Sequence, residues 1–472
     1  MRTRHANLRL VLLLATMEGA ALARPAVTTS PSIGPPNHKI TVSGSGFRAS
    51  ELVDLYFDTT DLEPARADSV GVFSKPLTIP ETAVPGKHTV SATGRKSGRT
   101  ARTTFLVRTD WRQFRHGPLH DSYNPDENVL SASNASSLQL LWKTSTGGYV
   151  SSPVVADGKV YVGTAIDLVQ FQVEAFDAAT GRYVWSASGA GDGTSPGVVN
   201  GTVYIPSGFP DGNMYAFGAA TGQPMWSAFG SFATVTSPAT IADGAVFAGW
   251  DVLLAWDAAT GRQLWSFTAP SQRPFDVFPA TVVNGVVYAG CLDGYLYAID
   301  AGAGAVIWSR PNMAMSPAAA GGVLYGVVPG GSLEAVDAAT GKPIWSTGKG
   351  SATSPPAVAN GIVYAGTTGN QLTAFNAGTG RPLWSTAVGE GLSYPAIANG
   401  VLYVSMSGGK LAAFNGTNGQ LLWSTQLGTA PYATSPVVAN GVVYVCDYNG
   451  VIYAFGLQPG SAADPARRHL LE

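Results

Sequence analysis

Histidine is the scarcest chemically useful residue in this chain. Only six occur in 472 residues: His5, His38, His88, His116, His120 and His469, so none lies between 121 and 468. Such a stretch cannot run Ser-His-Asp or Cys-His catalysis, bind zinc or haem through histidine, or use a histidine base. The larger part of the protein is therefore expected to work without imidazole. Cysteine is rarer still, with Cys291 and Cys446 the only two. Charged residues make up 12% of the chain, about half the globular norm of ~25%. After the first two dozen residues no apolar run approaches the ~20 residues of a membrane span. Net charge is −2, with 16 basic and 12 acidic residues over 1–137 but 10 and 16 over 138–456. A mildly acidic main body argues against nucleic acid as a partner.

Glycine is abundant, at 57 residues, and 45% of the chain is apolar. That balance excludes a disordered chain, which is charge-rich and apolar-poor. It also disfavours long amphipathic helices, which need a charged outer face. Many short strands punctuated by glycine turns fit it.

Residues 1–23 read as an export signal: Arg2, Arg4 and Arg9, an apolar stretch Leu8–Met17, then Ala21-Leu22-Ala23 as a small-x-small cleavage site. The protein is expected to be secreted or extracytoplasmic, with no transmembrane segment. Arg24–Pro36, with four prolines, reads as a linker. Across 37–108 short alternating runs (Ile40–Val42, Leu52–Phe57, Gly71–Phe73, His88–Ala92, Thr103–Val107) stand between turn clusters, which predicts a small β-sandwich. Thr41-Val42-Ser43-Gly44-Ser45-Gly46-Phe47 and Pro85-Gly86-Lys87-His88-Thr89-Val90 resemble the bacterial Ig-like (IPT/TIG-type) modules of surface proteins. Seven basic residues fall in 95–115 (Arg95, Lys96, Arg99, Arg102, Arg108, Arg112, Arg115), either a site for an anionic surface polymer or a solvated strand face. His116 and His120 have i,i+4 spacing, but Gly117-Pro118 between them breaks any helix.

The remainder is a repeat. Tryptophans recur at Trp142, Trp185, Trp226, Trp265, Trp308, Trp345, Trp384 and Trp423. A proline, usually behind serine, keeps the same period: Pro153, Pro196, Pro238, Pro279, Pro317, Pro355, Pro395 and Pro436. A turn of the Asn-Gly or Asp-Gly kind follows each, as at Asp157-Gly158 and Asn440-Gly441, and then an aromatic in a β-rich run. Such pairs supply the positive φ of a two-residue hairpin, which sets strand register. Most units add a turn like Asp177-Ala178-Ala179-Thr180-Gly181 and a final strand ending in Trp. Four antiparallel strands per ~40 residues describe a propeller blade. The fold is thus expected to be all-β, an eight-bladed β-propeller of four-stranded blades behind a small Ig-like β-sandwich. Residues 109–137 would be a linker and lead-in, 138–456 the propeller and 457–472 a tail. The eighth unit stops at Gly456 without a Trp strand, so residues 138–145 are expected to complete it and lock the ring, with the repeated tryptophans packed between blades.

Ala175–Trp185 (Ala-Phe-Asp-Ala-Ala-Thr-Gly-Arg-Tyr-Val-Trp) and Asp337–Trp345 resemble the repeat of pyrroloquinoline-quinone (PQQ) dehydrogenases. Trp111-Arg112-Gln113-Phe114, Asn134 and Leu138–Trp142 resemble the lead-in of those propellers. Non-enzymes share the repeat, including the eight-bladed propeller lipoprotein of outer-membrane β-barrel assembly, so the fold alone leaves function open. The dehydrogenases typically carry an adjacent Cys-Cys disulfide, a Glu/Asn/Asp calcium site and a catalytic Asp. Here Cys291 and Cys446 fall in blades 4 and 8 and are expected to be free buried thiols. Asp177, Asp257, Asp300 and Asp337 share one turn position, and only Glu174, Glu334 and Glu390 fall in the propeller. No catalytic residue, metal site or cofactor is therefore expected, the alternative being PQQ with Ca²⁺. Departures from the repeat cluster in loops of one face, which nominates Asp167, Phe209, Asp211, Trp250, Arg273, Phe275 and Asp276 as a contact patch. The expected protein is a monomeric, exported binding or scaffold protein whose partner is a protein or a cell-surface polymer. The rival reading is a PQQ- and calcium-dependent alcohol or sugar dehydrogenase. A third is a cell-wall polysaccharide binder resting on the Ig-like module.

Overall fold

The computed structural model describes residues 24–458 except 168–169, 190–193, 209–210, 231–236, 250, 271–277, 314–315, 329, 349, 351, 390 and 431. The expected export signal, most of the tail and Glu390 lie outside the described residues. Two compact units divide the chain: residues 1–81 with 87–106, and 82–86 with 107–472.

The first unit is a β-sandwich. One sheet holds Ala26–Ser30, Lys39–Ser45 and Phe73–Thr78; the other holds Ile33–Gly34, Thr100–Val107, Gly86–Gly94, Leu52–Phe57 and Thr60–Arg66. Leu52–Phe57 alternates strictly, so that Val53, Leu55 and Phe57 point inward. The stretch expected as a linker instead supplies two strands, one to each sheet. Pro31 stands between them, where the chain changes sheets and a missing N–H breaks no ladder. Thr60–Arg66 escapes sequence reading because Asp, Glu and Pro are poor strand formers; it is an edge strand, paired only to Leu52–Phe57. Glu51, fully buried, accepts from the backbone N–H of Arg48, Lys96 and Ser97 and from the Ser97 hydroxyl. Burial opposes its charge, but these bonds outweigh it and hold the carboxyl at about 2.

The second unit is an eight-bladed propeller. Blade 1 runs outward through Val154–Ala156, Lys159–Ala165, Phe171–Asp177 and Tyr183–Ser188, each antiparallel to the last. Seven of the inner hairpins turn on an Asn or Asp at φ between 44 and 53° followed by a glycine near +75 to +80°, the geometry of a type I′ turn. In blade 8 the outer strand is Gln139–Ser145, paired antiparallel to Val451–Gly456 with Gln139 opposite Gly456 and Ser145 opposite Val451. The first strand of the unit and the last therefore share one sheet.

Adjacent blades are clasped in one repeated way. The Trp185 indole N–H and the Tyr161 hydroxyl of blade 1 both donate to the Ala219 carbonyl in the Thr-Gly turn of blade 2. Trp142 and Tyr444 of blade 8 do the same to Ala178 of blade 1. Glycine is obligatory beneath each ring: a Cβ on Gly222 would lie 2.5 Å from Trp185, at φ +70°. The tryptophan bond recurs at seven junctions, although Phe247 in blade 3 has no hydroxyl to add to it; the junction from blade 7 to blade 8 is different. Blade 8 has no Thr-Gly turn, and the Tyr403 hydroxyl of blade 7 is buried without a partner.

Candidate functional site

A propeller's innermost strands turn one edge toward the central channel. Buried there, their N–H and C=O groups need partners. Residues 109–124 provide them, making one full circuit inside the ring. The middle residue of each three-residue inner strand is the contact. Val155 exchanges two backbone bonds with Trp111; Val198 donates to the Arg112 carbonyl. The Gln113 side chain imitates a strand, accepting from Ile241 N–H (2.8 Å) and donating to its carbonyl (3.0 Å). Val282, Ala319, Val358 and Ile397 then donate to the carbonyls of Pro118, Leu119, Asp121 and Ser122 in blade order. The circuit closes at blade 8, where Asn124 Nδ2 donates to both Val438 O and Thr109 O. Glu127, 3% exposed, anchors the closure by accepting from the Thr109 hydroxyl and from the N–H of Gly441, Val129 and Leu130. The segment expected as a linker is a strap that occupies a layer of the channel.

The strap carries imidazole into the propeller, which corrects the expectation that this unit lacks it. His120 is 1% exposed and faces Thr240 through Nε2 (3.2 Å) and Ser316 through Nδ1 (3.1 Å). The Thr240 hydroxyl already donates to Ala280 O, so Nε2 is assigned the proton and Nδ1 accepts from Ser316. Nδ1 also faces the Thr281 hydroxyl (3.3 Å), which donates to Pro317 O, and burial disfavours a second proton on the ring. His116 stacks edge-on to Trp111, with centroids 5.1 Å apart. Arg115, 3% exposed, donates through Nε to Ser122 Oγ and through its fork to the carbonyls of Ser316 and Pro356, with its guanidinium over the Tyr394 ring. Burial pushes it down to about 10, so it stays charged at neutral pH. Beside it lies a cavity of about 10 Å³, walled by Trp111, Phe114, Tyr394 and the Ser-Pro residues of blades 1 and 8. That is room for about one water.

A pH dependence follows from His120. Burial, reinforced by Arg115, holds its folded pKa well below 6.5, the ordinary value in an unfolded chain. The unfolded chain therefore takes a proton that the fold refuses, and stability present above pH 6.5 is lost as pH falls below it. Asp121 opposes this: burial pushes its carboxyl up to about 6, so folding favours its protonated form as pH drops. His120→Gln is expected to melt lower than wild type at about pH 7 and to lose less melting temperature on going to about pH 5. Equal slopes for the two proteins in thermal melts would show that His120 titrates normally.

The nominated contact patch is only partly described. Phe209, Trp250, Arg273, Phe275 and Asp276 lie outside the described residues. Asp167 caps its own turn by accepting from Gln170 N–H. Asp211 accepts from Asn213 N–H and the Tyr215 hydroxyl, a hairpin brace repeated at Asp293 with Tyr297 and at Asp447 with Tyr453. Asp167 and Asp211 each brace their own loop. The basic run of 95–115 is likewise dispersed. Arg95 pairs with Asp54, Arg112 with Asp110 and Asp157, and Arg115 is in the channel. The residues that sequence reading missed are Tyr149, Tyr432 and Tyr448, three exposed rings close together at blades 8 and 1, Tyr149 in a two-residue strand paired to Lys159–Ala165. A signal existed: Tyr149 and Tyr432 each stand four residues before their blade's proline.

The donor set for a calcium-bound quinone can be tested residue by residue. Cys291 and Cys446 are free and buried, in blades 4 and 8, and burial pushes the Cys291 thiol up to about 11. Glu174 is bonded to Thr164, and Glu334 to Arg310 at 2.6 Å. Asp177, Asp257 and Asp337 each hold the N–H and hydroxyl of the threonine three residues on. Among the described residues no three His, Cys, Asp or Glu side chains converge. Four hydroxyls one or two residues before the repeated prolines brace the backbone: Ser151, Ser237, Ser354 and Ser393 each accept an N–H from the second strand of their own blade. No helix among the described residues is long and apolar enough to cross a membrane.

Comparison with known proteins places the chain. A family model described as "Outer membrane protein assembly factor BamB" matches residues 86–227, 169–320 and 293–468, and a macroglobulin-like domain model matches 23–107. The alcohol dehydrogenase (quinone), dehydrogenase subunit, of Gluconacetobacter polyoxogenes is 36% identical over 81 residues, 15% of this chain and 11% of that protein. The chain thus matches about a tenth of that relative's length. Of solved structures, BamB from Moraxella catarrhalis is similar with a TM-score of 0.57 at 18% identity, covering 69% of this chain and 99% of that one. A europium-containing methanol dehydrogenase is similar with a TM-score of 0.62 at 14% identity, over 74% and 98%. Both show the PQQ-like propeller fold. With the BamB model spanning most of its length, the chain belongs to the PQQ-repeat propeller family described as outer membrane protein assembly factor BamB.

Proposed function

We propose that this protein is an exported, non-catalytic binding or scaffold protein that works outside the cytoplasm as a monomer and meets a protein or cell-surface partner through a propeller face. The observation that carries this reading is the strap. It takes a hydrogen-bonding position in every blade and occupies a layer of the channel, while Asp110, Asp157 and Glu127 beside it are bonded to Arg112 and Thr109. Membership of a family described as an assembly factor supports a partner-binding role over a reaction.

A PQQ- and calcium-dependent alcohol dehydrogenase is the second reading, favoured by the 36% match to a quinone alcohol dehydrogenase subunit. The two separate in one assay. Purified full-length protein is titrated with PQQ and Ca²⁺ and tested for dye-linked alcohol oxidation. The scaffold reading expects neither saturable PQQ binding nor turnover; turnover that saturates with PQQ would overturn it.

A further inference from the structure

We propose that Tyr149, Tyr432 and Tyr448 form a binding platform for a neutral glycan at the junction of blades 7, 8 and 1. The proposal goes beyond the scaffold reading and does not require it. The three side chains are 66%, 51% and 46% exposed. Tyr448 is the hub, its ring centroid 6.5 Å from Tyr149 and 5.8 Å from Tyr432. Tyr149 follows the outer strand of blade 8, Tyr432 follows that of blade 7, and Tyr448 tips the hairpin between the second and third strands of blade 8. Antiparallel order brings all three connections to one face of the disc.

The loops beneath the rings are stitched together by main chain. Tyr448 N–H donates to Tyr432 O, Thr434 N–H to Cys446 O, and Thr146 N–H to Gly450 O. Asp447 sets the hairpin by accepting from Asn449 and Val451 N–H and from the Tyr453 hydroxyl. Gly450, at φ +78°, lets the Gly148 carbonyl approach so closely that a Cβ would meet it at 2.2 Å. The rings are therefore held ready, and a ligand meets little loop-ordering cost on binding.

Charge selects the ligand class. Residues 146–152, 428–435 and 447–450 contain one ionisable acid or base other than tyrosine, Asp447, which is 1% exposed and saturated. The rest is Ser, Thr, Gly, Asn, Ala, Val, Pro and Tyr. Another charge stands nearby at Asp167, two residues beyond Ala165, which pairs with Tyr149; it accepts from Gln170 N–H in its own turn, and no basic side chain in these segments attracts an acidic polymer. A phenol offers an apolar face and a hydroxyl on one rigid body. A neutral sugar presents the complement: a C–H face to cover the ring and hydroxyls to share hydrogen bonds with phenols and Asn449. An open trio of rings suits a chain of such units better than a protein anchor, which needs a pocket to fill.

The test is affinity electrophoresis of the full chain in gels holding laminarin, dextran, galactomannan or soluble chitin oligomers. Wild type is compared with Tyr149→Ala, Tyr448→Ala, Tyr448→Phe and, as control, Tyr183→Ala, which removes an exposed tyrosine of blade 1's outer strand. Thermal melts confirm that each variant is folded. Retardation by at least one neutral glycan is expected, weakened about tenfold in Kd by Tyr149→Ala and Tyr448→Ala, largely kept by Tyr448→Phe and untouched by Tyr183→Ala. Three outcomes overturn the proposal: no retardation by any of these glycans, equal loss in Tyr183→Ala, or binding confined to a charged polymer or a protein. Its failure leaves the PQQ titration unmoved, so the two readings fail separately.

Discussion

Replacing residues 138–145 by a Gly-Ser stretch of equal length lowers the melting temperature of the entire propeller in a single cooperative step. The reason lies in the sharing of blade 8. Its outer strand, Gln139–Ser145, comes from the opposite end of the unit and pairs with Val451–Gly456 through six residues. The same strand carries Trp142, whose indole reaches on to Ala178 in blade 1. Losing it removes a ladder and a clasp together, several kcal/mol in all. A shift of roughly 5 °C follows, since 1 kcal/mol moves a domain of this size by only about 1–2 °C. Differential scanning calorimetry reads the result. A new low-temperature shoulder with the main transition unmoved would mean that blade 8 melts alone and does not lock the ring.

Trp185→Ala is the second large effect, at about 3–5 kcal/mol of stability. Trp185 is 7% exposed, donates to Ala219 O and lies against Gly222 of the next blade. Truncation leaves a hole between blades and removes one of the two hydrogen bonds that the Ala219 carbonyl accepts, the Tyr161 bond remaining. The matching change at Trp423 makes the comparison informative. Trp423 packs edge-on against Phe455, with centroids 5.2 Å apart, at the one junction whose following blade lacks a Thr-Gly turn. Trp423→Ala is therefore expected to be milder by about 1 kcal/mol, the worth of the hydrogen bond that Trp185 loses. Chemical denaturation of both variants measures the difference. Equal losses would show that the clasp onto the next turn contributes nothing beyond the buried ring.

The propeller was legible because its instructions are local and repeated. An Asn-Gly pair specifies its own turn, and a glycine under a tryptophan recurs with the tryptophan. The sandwich was legible in its alternating strands, such as Leu52–Phe57, and illegible in Thr60–Arg66, where pairing at an edge overrides poor propensity. The strap was hidden for a different reason. Most of what it offers the blades is backbone carbonyls, which every residue has, and its partners lie from about 40 to about 300 positions away. No side-chain pattern announces that Leu119 will meet Ala319.

Composition by itself determined that this chain would build many short strands with little surface charge, and the period of Trp, Pro and Asn-Gly determined eight blades. Tertiary structure alone decided what fills the centre. Counted along the chain, no histidine lies between 121 and 468; counted in space, His116 and His120 sit with the propeller. The inner edge of each blade leaves polar groups that water cannot satisfy once the ring closes. A segment that precedes the repeat must therefore come back to satisfy them, and it brings Arg115 and His120 along.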